Sequence, residues 1–495
     1  MEHLFGSIGP LQLLFLILAL TLAFGFEFVN GFHDTANAVA TVIYTHSLPP
    51  IVAVVWSGIW NLIGVLASNG AVAFSVVALL PAELVMNVSS AAGFAMVFAL
   101  LISAIVWNLG TWSLGLPASS SHTLFGAIMG VGLMNSIMSS GGIVEGVNWA
   151  KAQEIGLSLL ISPVLGFVAT AGLFLAVKYL VKNPSLYTEP DRQKAPPLWI
   201  RGILCLTCTG VSFSHGSNDG QKGMGLIMLI LIGIIPGMYA VNLSSAPGAV
   251  PGIVAQAHAA AAILEKQVHG AMGDPNTAKK ILSTYLKSDG AYNAEVLPAL
   301  AEKNQEIVTM LDGHKSFSEV PESKRGTLRT AFYATSATIA KLSKGKFFTD
   351  AADAKALGDY RTTLEKQTKF IPFWVQVAVA CSLGFGTMIG WKRIVVTVGE
   401  KIGKSHLTYA QGASAELVAM LTIGLATRYG LPVSTTHVLS SGVAGSMAAN
   451  NSGLQKNTLR NILLAWVLTL PVCMFLGAML FAAALLVMAR VFGVH

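Results

Sequence analysis

The chain has 495 residues, 53% of them hydrophobic and 11% charged, with a formal net charge of +7. A soluble domain carries about a quarter charged residues, so this much apolar surface needs lipid against it, and a soluble enzyme is excluded. The positive charge forms no basic face for nucleic acid, because the first 150 residues hold neither Lys nor Arg and the rest sits in later loops, which is a membrane-topology pattern.

A spanning helix needs about 20 mostly apolar residues. In chain order the candidates are 11–43, 51–79, 92–113, 115–135, 156–180, 200–242, 371–391, 406–428, 431–449 and 459–492. The first lacks a basic leader and carries Glu27, so it reads as an uncleaved helix rather than a signal peptide. Segments 11–43 and 200–242 are too long for one plain span. Each contains a polar, Gly-bearing motif, which predicts a broken helix, or a span plus a half-helix, there. Cys205, Cys208, Cys381 and Cys473 lie in apolar runs; Cys205 and Cys208 have the spacing of half a zinc site with no second half, so packing is the better reading. The predicted fold is an all-α polytopic membrane protein of about 10–12 transmembrane segments. It forms two inverted repeats with broken or re-entrant helices and a soluble helical insert.

The domain boundaries follow. Residues 1–180 form a first membrane repeat, 181–199 a charged, Pro-rich cytoplasmic linker, and 200–243 the start of a second repeat. Residues 244–370 form a polar insert with apolar residues at helical spacing, and 371–495 complete the second repeat. The repeat shows in two paired motifs. NGFHDTAN at 30–37 answers HGSNDGQK at 215–222, and GLPASSSHTL at 115–124 answers GLPVSTTHVL at 430–439. From Asp34 to His122 is 88 residues and from Asp219 to His437 is 218; the difference, 218 − 88 = 130, is close to the length of the insert. Lys182, Arg192, Lys194 and Arg201 mark one cytoplasmic loop, and Lys392, Arg393, Lys401 and Lys404 another, while the first-half counterpart of the latter near 80–91 has none. Opposite bias in equivalent loops predicts inversion, with the insert outside.

Two intramembrane carboxylates, Asp34 and Asp219, cost about 2.5–3.5 kcal/mol each on insertion scales, and such residues usually face a protein interior or a watery cavity. They repel an anion, so their task would be to hold a cation, whether a proton, sodium or a divalent metal, beside it. His33 and Asn218 would share that task; capping of a broken helix is the structural alternative. Asn30 and Gln221 add supporting donors and acceptors, while Asn37 and Lys222 would bind the anion itself, Lys222 with a charge present in the second copy only. After each Gly-Leu-Pro, Ser119, Ser120, Ser121 and Ser434, Thr435, Thr436 would lie at a helix N-terminus. There, free N–H groups, the dipole and the hydroxyls make an anion site. The alternative is that they only cap or pack helices. His122 and His437 end the motifs and would orient hydroxyls or carry a proton; Asn108, Glu27, Gln411 and Glu416 rank as supporting polar residues.

NGFHDTANAVAT at 30–41, SHGSNDGQKG at 214–223 and the two GLPxS[ST][ST]H elements together resemble the signatures of the inorganic phosphate transporter family, over residues 1–243 and 371–495. The form GFHDTANAVAT is similar to that of the bacterial low-affinity members. The resemblance implies secondary, cation-coupled symport of inorganic phosphate through a pseudo-symmetric core in the bacterial inner membrane. The assembly it implies is a homodimer. In the bacterial branch it implies proton coupling and phosphate entering as a complex with a divalent metal, with no tightly bound cofactor. Sodium-coupled relatives typically carry Asn-Asp in the first motif. Here that place is His33-Asp34, and only Asn218-Asp219 keeps the pattern, which favours protons and leaves sodium as the alternative. Other readings are a sulfate or arsenate permease, an ion channel, and a membrane-embedded phosphatase. The phosphatase would need basic residues upstream of His122, and there are none.

Overall fold

The computed structural model describes residues 9–34, 36–80, 90–138, 147–191, 195–267, 275–287 and 290–492, with side chains of 36–37, 275–276 and 491–492 outside that description. The described residues are helical throughout, without a strand; one isolated bridge joins Gly403 and Leu454. The first half holds α1 (Pro10–Asp34), α2 (Ala36–Tyr44), α3 (Pro50–Leu66), α4 (Ala71–Val77), α5 (Ala91–Ser113), α6 (Ser120–Met138) and α7 (Trp149–Leu180). The second opens with α8 (Leu198–Ile234) and α9 (Pro236–Tyr239). The insert carries α10 (Ala249–Glu265), α11 (Pro275–Leu286), α12 (Val296–Leu311), α13 (Glu322–Lys344) and α14 (Ala351–Thr368). The second half ends with α15 (Phe373–Met388), α16 (Lys392–Val396), α17 (Tyr409–Arg428), α18 (Thr435–Ala449) and α19 (Lys456–Phe492).

Among the described residues, four helical stretches are by themselves long and apolar enough to cross a membrane: Pro10–Tyr44, Ala91–Ser113, Trp149–Leu180 and Lys456–Arg490. Two bent pairs bring the number up to six if each is one span: Pro50–Leu66 with Ala71–Val77, at 76°, and Ala351–Thr368 with Phe373–Met388, at 63°. That is fewer than the ten segments expected. The physical reason is that α6, α8 and α17 bury polar residues inside the bundle, and α18 has only 15 residues. The outward faces of α7 and α19 are apolar and exposed, with Leu160, Val164 and Val168 on one and Leu463, Val467 and Phe475 on the other. Such a belt needs lipid.

One expectation is corrected. The second polar motif does not break its helix: α8 runs unbroken for 37 residues from Leu198 to Ile234, and the chain turns only at Ile235–Pro236. The motif glycines serve packing instead. A Cβ placed on Gly216 would lie 2.1 Å from the Asn61 carbonyl oxygen of α3, and one on Gly31 would lie 2.3 Å from the Leu383 carbonyl oxygen of α15. Small residues at such crossings let helix backbones touch within a bilayer.

These two crossings involve the helices that carry the two paired motifs. Helix α1 of the first half lies on α15 of the second, and α8 of the second lies on α3 of the first. The hydroxyl-bearing helices do the same, α6 against α19 and α18 against α7. The halves are therefore interlocked, each motif helix resting on the other half.

Three hydrophobic cores result. One gathers Phe26, Val76, Met96 and Leu100 around Leu226–Ile234 of α8, and a second gathers Val398, Ile402 and Leu407 around Ile200–Val211 of the same helix. The polar motif of α8 lies between them in the chain. The third core is confined to 241–364, among them Ile253, Leu300, Phe332 and Tyr360. The two ends of the insert meet: Asn242 N–H donates to the Gln367 carbonyl at 3.0 Å, and Arg329 donates to the carbonyls of Ala240 and Thr368. At the opposite end of α8, His406 N–H donates to Glu189 at 3.1 Å, so linker 181–199 and the 391–405 loop share that end.

Candidate functional site

Each hydroxyl run is placed by the same local device. Gly115 and Gly430 have φ of +67° and +66°, the left-handed turn that ends α5 and α17, and favours Gly. Leu116 N–H reaches back to the Thr111 carbonyl and Leu431 N–H to the Ala426 carbonyl, both at 2.9 Å, closing the two turns identically. Ser119 and Ser434 then cap the next helices by accepting from the amides of His122 (3.2 Å) and His437 (3.1 Å). The two helix N-termini converge, and the rings of His122 and His437 lie 4.5 Å apart. His437 stacks in turn on Trp466, whose indole N–H donates to the Pro117 carbonyl.

Between these N-termini the two aspartates come together. Ser120 Oγ lies 3.1 Å from Asp34 Oδ2 and 3.3 Å from Asp219 Oδ2, so one hydroxyl serves both carboxylates. Thr436 donates to the other Asp34 oxygen. Lys222, fully buried, pairs with Asp219 Oδ1 at 2.8 Å and donates to Ser121 Oγ, which donates to the Val433 carbonyl at 2.7 Å. His215 Nε2 stands 3.7 Å from an oxygen of each aspartate, and His33 Nδ1 3.7 Å from Asp34. Among the described residues neither nitrogen has a hydrogen-bond partner.

The far side of each imidazole is held. His215 Nδ1 meets Asn61 Oδ1 at 2.7 Å, and an amide oxygen only accepts, so Nδ1 carries the proton and Nε2 turns to the carboxylates. The Thr111 hydroxyl donates to the carbonyls of Trp107 and Asn108, so it accepts from His33 Nε2 at 3.1 Å. The carboxylate oxygens of Asp34 and Asp219 and the ring of His215 lie within 4.8 Å of one another and suit a cation.

The remaining sequence candidates lie elsewhere in the network. Asn218 donates to Thr427 (2.9 Å) and the Leu431 carbonyl (3.2 Å), holding the turn before α18 rather than facing a carboxylate. Gln221 accepts from Val72 N–H at 2.9 Å and so anchors the start of α4. Asn108 accepts from Thr123, beside the first Ser/Thr run. Asn30 and Thr435 are buried, and the side-chain polar atoms of both lack a partner among the described residues. Asn37 lies outside the described side chains. Asn61 and Thr111 were missed from sequence; the only signal they offered was a polar residue inside an apolar helix.

A cavity of about 670 Å³ opens at the end of α5. Lys392, Arg393 and Lys401 line it, with no carboxylate among the lining residues. Arg393 stacks on Trp112 at 4.8 Å and donates to the Ser113 carbonyl, and Trp112 packs edge-on to Phe32 with centroids 5.0 Å apart.

Residues 30–477 match the model of the phosphate transporter family. The chain is 42% identical to the low-affinity inorganic phosphate transporter PitB of Escherichia coli K12, over 98% of this chain and 99% of that one. It is 41% identical to PitA of the same strain, over 97% and 99%. It is 28% identical to a probable low-affinity inorganic phosphate transporter of Bacillus subtilis, over 94% and 96%. A solved structure described as the sodium-dependent phosphate transporter has the same fold, with a TM-score of 0.51 at 19% identity over 96% of this chain and 99% of that one.

Proposed function

Since the chain belongs to the phosphate transporter family, we propose that it is a multi-pass secondary transporter of the cell membrane that carries inorganic phosphate by symport with a cation. It is not an enzyme. The observation that carries this reading is the meeting of both aspartates with both hydroxyl-bearing helix N-termini, joined through Ser120. The N-termini of α6 and α18 supply partial positive charge and hydroxyls for a tetrahedral oxyanion. Two carboxylates so close repel that oxyanion until cations offset them. A cation at Asp34, His215 and Asp219 therefore raises phosphate affinity, and phosphate raises cation affinity by the same factor.

The coupling ion we propose is the proton, because two imidazole nitrogens that lack hydrogen-bond partners among the described residues face Asp34. Sodium is the second reading, favoured by the hydroxyl and carboxylate oxygens around Asp34. Two carboxylates and an imidazole also suit a divalent ion arriving with phosphate. The interlocked crossings of α1 with α15 and α8 with α3 support two inverted repeats, and the functional form we propose is a homodimer.

The test is radiolabelled phosphate uptake into proteoliposomes under imposed proton or sodium gradients, with and without magnesium. Uptake should follow the proton gradient. Asp34→Asn and Asp219→Asn should each abolish it while the protein stays folded in the membrane; near-normal uptake by either variant sinks the site.

A further inference from the structure

The halves of the site are unequal in one respect that the fold makes measurable. Thr436 and Ser121 occupy the same place in the two hydroxyl motifs, as Asp34 and Asp219 do in the two acidic ones. Each pair is made across the two halves. In one pair the hydroxyl touches the carboxylate directly, Thr436 to Asp34. In the other pair the Lys222 ammonium stands between them, 2.8 Å from Asp219 Oδ1 and bonded to Ser121 Oγ. Position 222 answers to Asn37 in the first motif, so the charge exists in one copy only.

The same asymmetry runs through the imidazoles. The first motif reads Asn30 and His33 where the second reads His215 and Asn218. Both histidines nonetheless turn toward Asp34, whereas Asn218 is committed to Thr427 and the Leu431 carbonyl. Asp34 is thus approached by hydroxyls and imidazoles, while Asp219 has an ammonium at contact distance. A buried ammonium does not leave such a pair without large loss.

We propose that Lys222 is a tethered cation, holding with its ammonium the position between hydroxyl and carboxylate that a mobile cation would otherwise fill in the second pair. The cluster then admits one mobile cation, on the Asp34 side. Lys222 is a specificity-determining residue that sets how many cations the site takes. The proposal rests on reading the cluster as a cation-coupled phosphate site.

Lys222→Asn, which restores the residue of the first motif, should open the position. It would expose the Asp219 carboxylate and the Ser121 hydroxyl, which now meet the ammonium, oxygen donors that suit a hard monovalent ion such as sodium. The experiment counts radioactive sodium bound at saturation by the purified full-length protein in detergent, without phosphate. Wild type should bind at most one ion, Lys222→Asn one more than wild type, and Lys222→Arg the wild-type number. Lys222→Gln replaces the Asn variant if that protein is not monodisperse. An unchanged count in a folded neutral variant overturns the proposal. Loss of phosphate binding at an unchanged sodium count overturns it also, in favour of Lys222 as a phosphate ligand. A wild-type count of two, lowered by Asp219→Asn as well as by Asp34→Asn, overturns it without any Lys222 variant. The sodium count needs no transport, so a wild-type protein that moves no phosphate counts against the transport reading alone.

Discussion

Asp34 lies among two hydroxyls and two imidazoles contributed by α6, α18, α1 and α8, so its environment belongs to neither half alone. A hydrogen bond to a charged group contributes about 1.5–3 kcal/mol. If Thr436 keeps that bond only in the binding-competent cluster, Thr436→Val should lower kcat/KM for phosphate uptake at least about tenfold, and Thr436→Ser should stay near wild type. Equal activity of the two variants would make Thr436 a packing residue. Much of this residue-scale picture was readable in the chain, because an acid flanked by glycines within an apolar run has few structural explanations and here occurs twice. The reach of His215 to both aspartates was not readable. It stands one helical turn before Asp219, and its distance to Asp34 depends on how α8 crosses the first half. The engagement of Asn218 and Gln221 with turns was hidden for the same reason.

Helix α8 shows how a polar, Gly-rich motif misleads at the scale of elements. In water a run such as HGSNDGQKG would favour a break, yet here the helix continues through it, buried on the neighbouring helices. The glycines allow the backbone approach that carries the crossing. Gly216→Ala would press a methyl group onto the Asn61 carbonyl oxygen, 2.1 Å away, which is backbone and cannot turn aside. That substitution should destabilise the protein by about 1–3 kcal/mol, read as a lowered Tm in detergent. Gly172→Ala, where nothing lies within 4 Å, should leave Tm unchanged or slightly raised, and an equal fall in both would remove the crossing from the account. The hydroxyl-bearing helices were more legible, because Gly-Leu-Pro followed by Ser or Thr carries its turn, its stop and its cap in eight residues.

For the whole molecule, the cavity lined by Lys392, Arg393 and Lys401 gives one end of the transporter a positive mouth. Neutralising Lys392 and Lys401 together by Gln should raise the apparent KM for phosphate presented from that end roughly threefold at low salt. The maximal rate should hold, and the difference should vanish at high salt; a salt-independent change would point to local distortion around Trp112 instead. Arg393 is left intact in this test, because it stacks on Trp112 and donates to the Ser113 carbonyl. The interlocking of the two halves was beyond reach of the sequence, since repeats show kinship and not which surfaces touch. The insert, by contrast, announced itself by composition. Its clamped ends bear on how the chain assembles. A single backbone hydrogen bond joins Asn242 to Gln367, so once that collar forms, the membrane portion experiences the intervening chain as one short link. Closing a loop of this length costs only the logarithm of its size, and a separately cored insert can close it early. The polypeptide then reaches α15 with its search already shortened, and a variant lacking the collar should assemble more slowly than its final stability suggests.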